Sequence, residues 1–143
     1  MKLRITVRSP YCQSARVLAA LVGASVSAGL CAQTLKSGEA VYKETCFACH
    51  STGVEKAPRF GDKQAWTPLI KEGQDVLTAH AWVGVRSMPP KGGKADLSLE
   101  EFTRATAFMA RVAGGNWKDP DATLLSRIRV EEKKRIIQLK AQK

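Results

Sequence analysis

The sequence predicts an all-α protein. Apolar residues recur three or four positions apart, as in Phe102, Ala105, Met109 and Val112, a spacing that places them on one face of a helix. No segment alternates apolar and polar residues as a half-buried strand does, and the sequence has no internal repeat. The chain has 143 residues, of which 44% are hydrophobic and 25% charged, so it has the length of about one domain and a globular composition.

Four helices are predicted before residue 117, each with a residue near its start whose side chain accepts a hydrogen bond from the first turn. These segments, with their capping residues, are 34–48 with Ser37, 62–71 with Asp62, 76–83 with Asp75, and 99–112 with Ser98. Ser98 and Glu101 form a capping-box pattern. Gly84 ends the third segment, and Gly114 follows the fourth.

Residues 1–32 have the layout of a secretory signal peptide. A basic stretch reaches Arg16, an apolar stretch follows from Val17, and small residues lead to Ala32, the predicted last residue removed. The alternatives are cleavage nearer Gly29, an uncleaved membrane anchor and a lipid anchor at Cys31. The predicted mature chain begins at Gln33 and is exported.

The net charge of +10 is concentrated at the two ends of the chain. Residues 1–32 and 118–143 each carry +4, whereas residues 33–117 carry only +2. A dedicated nucleic-acid binder places its basic surface on the folded body, so the charge pattern argues against this class.

Residues Cys46-Phe-Ala-Cys-His50 form a C-x-x-C-H motif, which in an exported protein is the attachment signature of a c-type haem. Two thiols three residues apart on a helix can each bond one vinyl group of the porphyrin, and the adjacent imidazole can bind the iron. A redox disulfide is one alternative, but no strand-rich segment precedes Cys46. Half of a zinc site is another, although the only histidine besides His50 is His80.

Met88 is the candidate for a second axial iron ligand opposite His50. It precedes two prolines that restrict the backbone, and Gly92 and Gly93 then allow a sharp return of the chain. A Met thioether opposite a His raises the reduction potential of haem iron. Met109 lies in a helical apolar stripe and is interpreted as a core residue instead, and His80 as a surface or core histidine.

These motifs together resemble the class I c-type cytochromes, in particular the short bacterial type called cytochrome c-five. The segments that carry the resemblance, in the family's order, are 38–42, 46–53, 57–58, 61–63 with Trp66, 88–93 and 97–101. The resemblance implies the cytochrome c fold, with four to five helices around one covalent haem (heme c) and the first and last core helices crossing near Gly38 and Phe108.

The resemblance also implies roles for individual residues. The carbonyl of Pro58 would accept the N–H of His50, and Trp66 would lie against the haem near a propionate, with core filling as its alternative. Two departures from the family, Lys56 before Ala57 and the lack of an extra Cys pair after Gly93, do not touch the proposed ligands.

Residues 118–143 have no counterpart in the short type. They follow the predicted cytochrome c domain, 33–117. A short linker is predicted at 116–120, and a helix from Asp121 to Leu139 is predicted to form a C-terminal extension. Its apolar residues make no single stripe, because residues 131–135 interrupt them. One interpretation is a charged helix packed loosely on the domain. The other is a docking element for an acidic partner or an anionic membrane surface.

The predicted function is that of a periplasmic one-electron carrier rather than an enzyme, with redox proteins such as a membrane-bound reductase and oxidase as partners. Arg86, Lys91 and Lys94 beside Met88 could steer an acidic partner or simply be solvated. A haem-bearing subunit of a larger membrane-associated redox complex, docked through residues 118–143, is the alternative. A haem enzyme or gas sensor would need an open sixth position, against which Met88 argues.

Overall fold

The computed structural model describes residues 34–142, and this part of the chain is helical, with no β-strand. The first helix, α1, consists of three consecutive pieces, Gly38–Val41, Tyr42–Cys46 and Phe47–His50, of which the middle one is π-helical. The others are α2 (Lys63–Lys71), α3 (Gln74–Val83), α4 (Leu99–Val112) and α5 (Ala122–Ala141). Short 3₁₀ turns lie at Val54–Lys56 and Pro90–Gly93. The all-α prediction is confirmed, including the C-terminal helical extension.

Side-chain caps start three of the predicted helices as expected. The Ser37 hydroxyl accepts from the N–H of Ala40 at 3.2 Å, and the Asp62 carboxylate accepts from that of Ala65 at 3.0 Å. Ser98 and Glu101 form a complete capping box. The Ser98 hydroxyl donates to the Glu101 carboxylate at 2.7 Å and holds the pKa of Glu101 below its usual range.

Four helix boundaries differ from the prediction. α1 begins at Gly38 rather than at residue 34, and α5 ends at Ala141 rather than at Leu139. Gly73, not Asp75, is the N-cap of α3, because its φ of +97° lets the chain enter the helix earlier, and Asp75 falls in the first turn. The first helix continues beyond residue 48 to His50. Cys49 and His50 therefore belong to the helix that carries Cys46, rather than to the loop after it.

α1 crosses α4 at Gly38, as the resemblance implies. A Cβ at this position would lie 2.7 Å from the carbonyl carbon of Arg104 and 3.1 Å from the Cβ of Phe108. Only a glycine lets the two backbones approach this closely. The adjoining core contains the stacked rings of Tyr42 and Phe60, whose centroids are 4.2 Å apart, and Met109, which is buried as its helical stripe predicts.

The C-terminal helix α5 packs against α3. Asp121 caps it by accepting from the N–H of Leu124 at 2.7 Å, and the side chains of Leu124 and Ile128 are buried. Trp117, in the segment predicted as a linker, is buried as well, and its carbonyl accepts from the Arg111 guanidinium at 3.1 Å. The packing is therefore closer than that expected of a loosely attached charged helix.

The predicted signal peptide, residues 1–32, lies outside the described residues, as do Cys12 and Cys31. Within residues 34–142, none of the helices combines the length and the apolar character that crossing a membrane requires.

Candidate functional site

The C-x-x-C-H motif occupies the last turns of α1. Cys46 is buried, Cys49 is exposed, and neither thiol forms a disulfide. His50 is also buried, with 6% of its surface exposed. One helix thus fixes both thiols and the imidazole within five consecutive residues.

The imidazole of His50 is oriented by a backbone carbonyl. Its Nδ1 lies 2.8 Å from the carbonyl oxygen of Pro58, which can only accept, so Nδ1 carries the proton and donates it. In this tautomer Nε2 has a free lone pair for a metal ion. The hydrogen bond that the resemblance implies between His50 and Pro58 is therefore present.

The loop between α1 and α2 holds the Pro58 carbonyl in place. The N–H of Phe60 donates to the carbonyl of His50 at 2.7 Å, and the indole N–H of Trp66 donates to the carbonyl of Arg59 at 2.9 Å. Trp66 is buried, and its ring centroid lies 6.3 Å from that of His50. Because its indole N–H is bound to the Arg59 carbonyl, Trp66 ties the loop beside His50 to α2.

Met88 lies in a tight turn that pairs with Val85. The N–H of Met88 donates to the carbonyl of Val85 at 2.9 Å, and the N–H of Val85 donates to the carbonyl of Met88 at 3.1 Å. Arg86 within the turn has a φ of +54°, which is uncommon for a non-glycine residue. The Met88 side chain is half-buried against the core. The turn therefore fixes the backbone that carries the thioether.

The Met88 loop, which we define as residues 85–94, approaches α1 through Gly92. A Cβ on Gly92 would lie 3.3 Å from Cγ2 of Thr45, the residue before Cys46, and 4.0 Å from Cε of Met88. The structure thus brings the Met88 loop next to the helix that carries the C-x-x-C-H motif, although the two are about 40 residues apart in sequence.

The other candidate ligands lie elsewhere. Met109 is buried in α4, and His80 on α3 has its Nδ1 3.6 Å from a carboxylate oxygen of Glu72. No cluster of three or more His, Cys, Asp or Glu side chains within residues 34–142 is arranged to hold a metal ion. This part of the chain therefore gives no support to a zinc site.

The environment of Cys46 also disfavours a redox disulfide. Burial raises the pKa of the Cys46 thiol to about 11, and the neighbouring Cys49 acts in the same direction. Reactive thiols of disulfide oxidoreductases have a lowered pKa and are accessible. The donor set instead comprises two thiols on one helical turn, an imidazole with a fixed tautomer and a thioether on a rigid loop, and it fits a c-type haem.

Sequence reasoning did not identify Trp82, which lies at the end of α3 beside the Met88 loop. Nζ of Lys91 is 4.6 Å from the centroid of the Trp82 ring and donates to the carbonyl of Ala95 at 2.8 Å. Lys91 is thus held against the protein rather than being a freely solvated charge, whereas Arg86 is exposed. The sequence shows an aromatic residue, Trp82, shortly before a loop that contains Lys91. It does not show that the two side chains are in contact, which depends on the fold.

Comparison with known proteins finds relatives that are all cytochromes or cytochrome oxidase subunits. A model of the family described as cytochrome C oxidase, cbb3-type, subunit III matches residues 33–109. The chain is 40% identical over 99 residues to cytochrome c-555 of Chlorobaculum tepidum, which covers 65% of this chain and 92% of that protein. It is 42% identical over 77 residues to cytochrome c5 of Azotobacter vinelandii, which covers 52% and 93% respectively.

A solved structure that contains a cytochrome c is also similar to this chain. A chain of the crystal structure of an electron transfer complex of nitrite reductase with cytochrome c is 42% identical, with a TM-score of 0.52, and covers 53% of this chain and 93% of that chain. Relatives of this kind are haem-bearing electron carriers, and membership of their family implies a covalent haem c, for which Cys46 and Cys49 have the required spacing. The chain belongs to the small class I c-type cytochromes.

Proposed function

We propose that the chain is a periplasmic one-electron carrier whose single haem is attached through Cys46 and Cys49 and ligated by His50 and Met88. The observation that carries the proposal is the hydrogen bond from Nδ1 of His50 to the Pro58 carbonyl, directly beside two free thiols on the same helix. The haem, when bound, supplies an iron that exchanges one electron between its ferrous and ferric states.

The protein residues have separate roles in this proposal. Pro58 fixes the tautomer and orientation of His50, and Trp66 holds the loop that carries Pro58. Met88 would hold the iron as its second protein ligand and would keep other ligands out, so we propose no catalytic residue. Residues 1–32 act as the cleaved signal, 33–117 as the cytochrome c domain and 118–143 as its extension.

Replacing Met88 with Ala tests the axial ligation and the carrier function together. We expect the oxidised wild-type protein to show the weak near-infrared band of sulfur-to-iron charge transfer, and the reduced protein not to bind carbon monoxide readily. Met88→Ala should remove the band, lower the reduction potential and allow carbon monoxide to bind, because the sixth position is then open. Absorption spectra of the haem-loaded protein measure the band and carbon monoxide binding, and a redox titration followed by the same spectra measures the reduction potential.

Met109→Ala is the matched control, since Met109 is buried in α4. It should retain the near-infrared band while reducing stability by about 2–5 kcal/mol. Loss of the band in Met109→Ala but not in Met88→Ala would assign the ligand to Met109. Ready carbon monoxide binding by the wild type would favour a haem enzyme or gas sensor.

A second candidate function is that of a haem-bearing subunit in a larger membrane-associated redox complex. The matching family model is described as an oxidase subunit, and α5 offers a surface suited to docking. Its outer face carries exposed Lys133 and Lys140 together with Val130 and Ile137, which are 50% and 67% exposed. Basic and apolar side chains on one helix face favour an acidic redox partner or an anionic membrane surface.

Reversing charge on this face tests the docking role. The double variant Lys133→Glu/Lys140→Glu should slow reduction of the protein by its native membrane fraction several-fold at low salt, because long-range attraction is lost. Near physiological ionic strength the screening length is about 8 Å, so the difference should shrink. Sedimentation with anionic lipid vesicles separates the membrane surface from a protein partner. Equal rates at low salt would contradict a docking role for the face.

A further inference from the structure

Trp82 lies between the Met88 loop and the C-terminal helix α5 and contacts both. We propose that α5 positions the Met88 loop through Trp82, with Glu132 and Lys91 as positioning residues on either side. The inference goes beyond electron transfer itself and rests on the proposed role of Met88 as an axial ligand. It assigns to the C-terminal extension a function in keeping the sixth position of the iron closed.

The first contact fixes the indole of Trp82 to α5. Its Nε1–H donates to the Glu132 carboxylate at 3.0 Å, and Trp82 is 7% exposed. The other oxygen of that carboxylate accepts from the Arg129 guanidinium at 2.8 Å. A partly buried carboxylate with a partner on each oxygen is held in one orientation, so it fixes the ring in turn.

The second contact joins the same ring to the Met88 loop. Nζ of Lys91 lies 4.6 Å from the ring centroid, within the range of a cation–π interaction. Lys91 is three residues after Met88, and its carbonyl and that of Pro89 accept backbone hydrogen bonds within the loop, from Lys94 and Gly92 respectively. A ring that is fixed by Glu132 therefore restrains the segment that presents the thioether.

The backbone of the loop needs such restraint. Lys91 has a φ of +55°, a left-handed conformation that side chains other than glycine adopt at a cost. Strained residues of this kind persist when the surrounding contacts determine them. The hydrogen bond to Ala95 and the cation–π contact with Trp82 are the contacts that hold the Lys91 side chain in this conformation.

The test measures how often the loop opens in the haem-loaded oxidised protein. Added imidazole binds the iron only when Met88 has left it, so the rate of imidazole binding reports on opening. We expect Glu132→Ala and Lys91→Leu each to raise this rate about fivefold, as loss of one hydrogen bond or cation–π contact predicts. The fold-increase in rate for the double variant should be smaller than the product of the two single fold-increases, because both residues act through one ring.

Glu131→Ala is the matched control. It removes the same charge from the same helix at the adjacent position, and Glu131 pairs with Lys134 rather than with Trp82. Its imidazole rate should equal that of the wild type. Equal rates for Glu132→Ala and Glu131→Ala, or fully independent effects of Glu132→Ala and Lys91→Leu, would overturn the proposal.

Hydrogen exchange separates this inference from the ligand assignment. The amide N–H groups of Met88 and Gly92 are hydrogen-bonded within the loop, and they should exchange about fivefold faster in Glu132→Ala than in Glu131→Ala. This holds whichever residue binds the iron. Absence of the near-infrared band in the wild type would refute Met88 as ligand, whereas unchanged exchange in Glu132→Ala would refute the positioning role of α5.

Discussion

The double variant Cys46→Ala/Cys49→Ala is expected to carry no covalent haem and to lose most of its fixed tertiary structure. The buried residues include many alanines, among them Ala79, Ala105, Ala107 and Ala110, which bury little apolar surface each. A segment as short as 33–117 builds only a small core. A large rigid apolar group bonded to α1 would therefore contribute a substantial part of the burial. Denaturing gel electrophoresis with haem staining measures attachment, and near-ultraviolet circular dichroism measures tertiary structure.

Phe47→Ala is the matched control for the haem variant. Phe47 lies between the two cysteines and is 54% exposed, so its removal should leave both thiols and the haem stain intact. A stained band from the double alanine variant would mean that the haem is attached elsewhere. A colourless wild-type band, after production in a host that can attach haem, would contradict the proposed cofactor attachment altogether.

The features that sequence predicted correctly are those determined by a few neighbouring residues. Ser37, Asp62 and Ser98 cap their helices because a short polar side chain reaches the N–H groups of the next turn without help from the rest of the fold. The predicted start of α3 was wrong because two candidate capping residues, Gly73 and Asp75, lie two positions apart there. Gly73 adopts a positive φ, and its carbonyl accepts from the N–H of Leu77, which places the cap before Asp75.

The packing of α5 could not be predicted because its inward face includes a charged residue. Leu124, Ile128 and Glu132 are spaced four apart and lie on one face of the helix. Glu132 breaks the apolar stripe because the surface that it meets presents the indole N–H of Trp82. A pattern that counts only apolar residues does not detect a face that includes Glu132. The partner of Glu132, Trp82, is 50 residues away in sequence, so local sequence does not show why a charge fits there.

The site shows the same division between local and long-range information. The C-x-x-C-H spacing alone predicted the thiols and the imidazole, since all three lie on one helix end. The orientation of His50 by Pro58 came from the family resemblance, and the contact of Lys91 with Trp82 came from neither source. Contacts between separate loops depend on tertiary packing, so a single sequence contains little evidence for them.

Truncation after Trp117 is expected to destabilise the cytochrome domain as well as to weaken association. Ile128 is fully buried and Leu124 is 6% exposed, and removing α5 would expose the apolar surface that they cover on α3. The loss of two such side chains amounts to about 3–6 kcal/mol. For a domain of this size, even the lower value corresponds to a decrease in melting temperature of about 10 °C or more. Thermal unfolding of the haem-loaded protein, followed by circular dichroism, measures the effect.

Two isoleucines of α5 separate packing from charge without truncation. Ile128→Ala should reduce the free energy of unfolding by about 2–4 kcal/mol, because it leaves a cavity at a fully buried position. Ile137→Ala makes the same chemical change where the side chain is 67% exposed, so stability should change by less than about 0.5 kcal/mol. Equal melting temperatures for the two variants would show that α5 does not pack on α3 in solution. A large decrease for Ile128→Ala alone would show that the extension is part of the folded core, with its basic outer face still available to a partner.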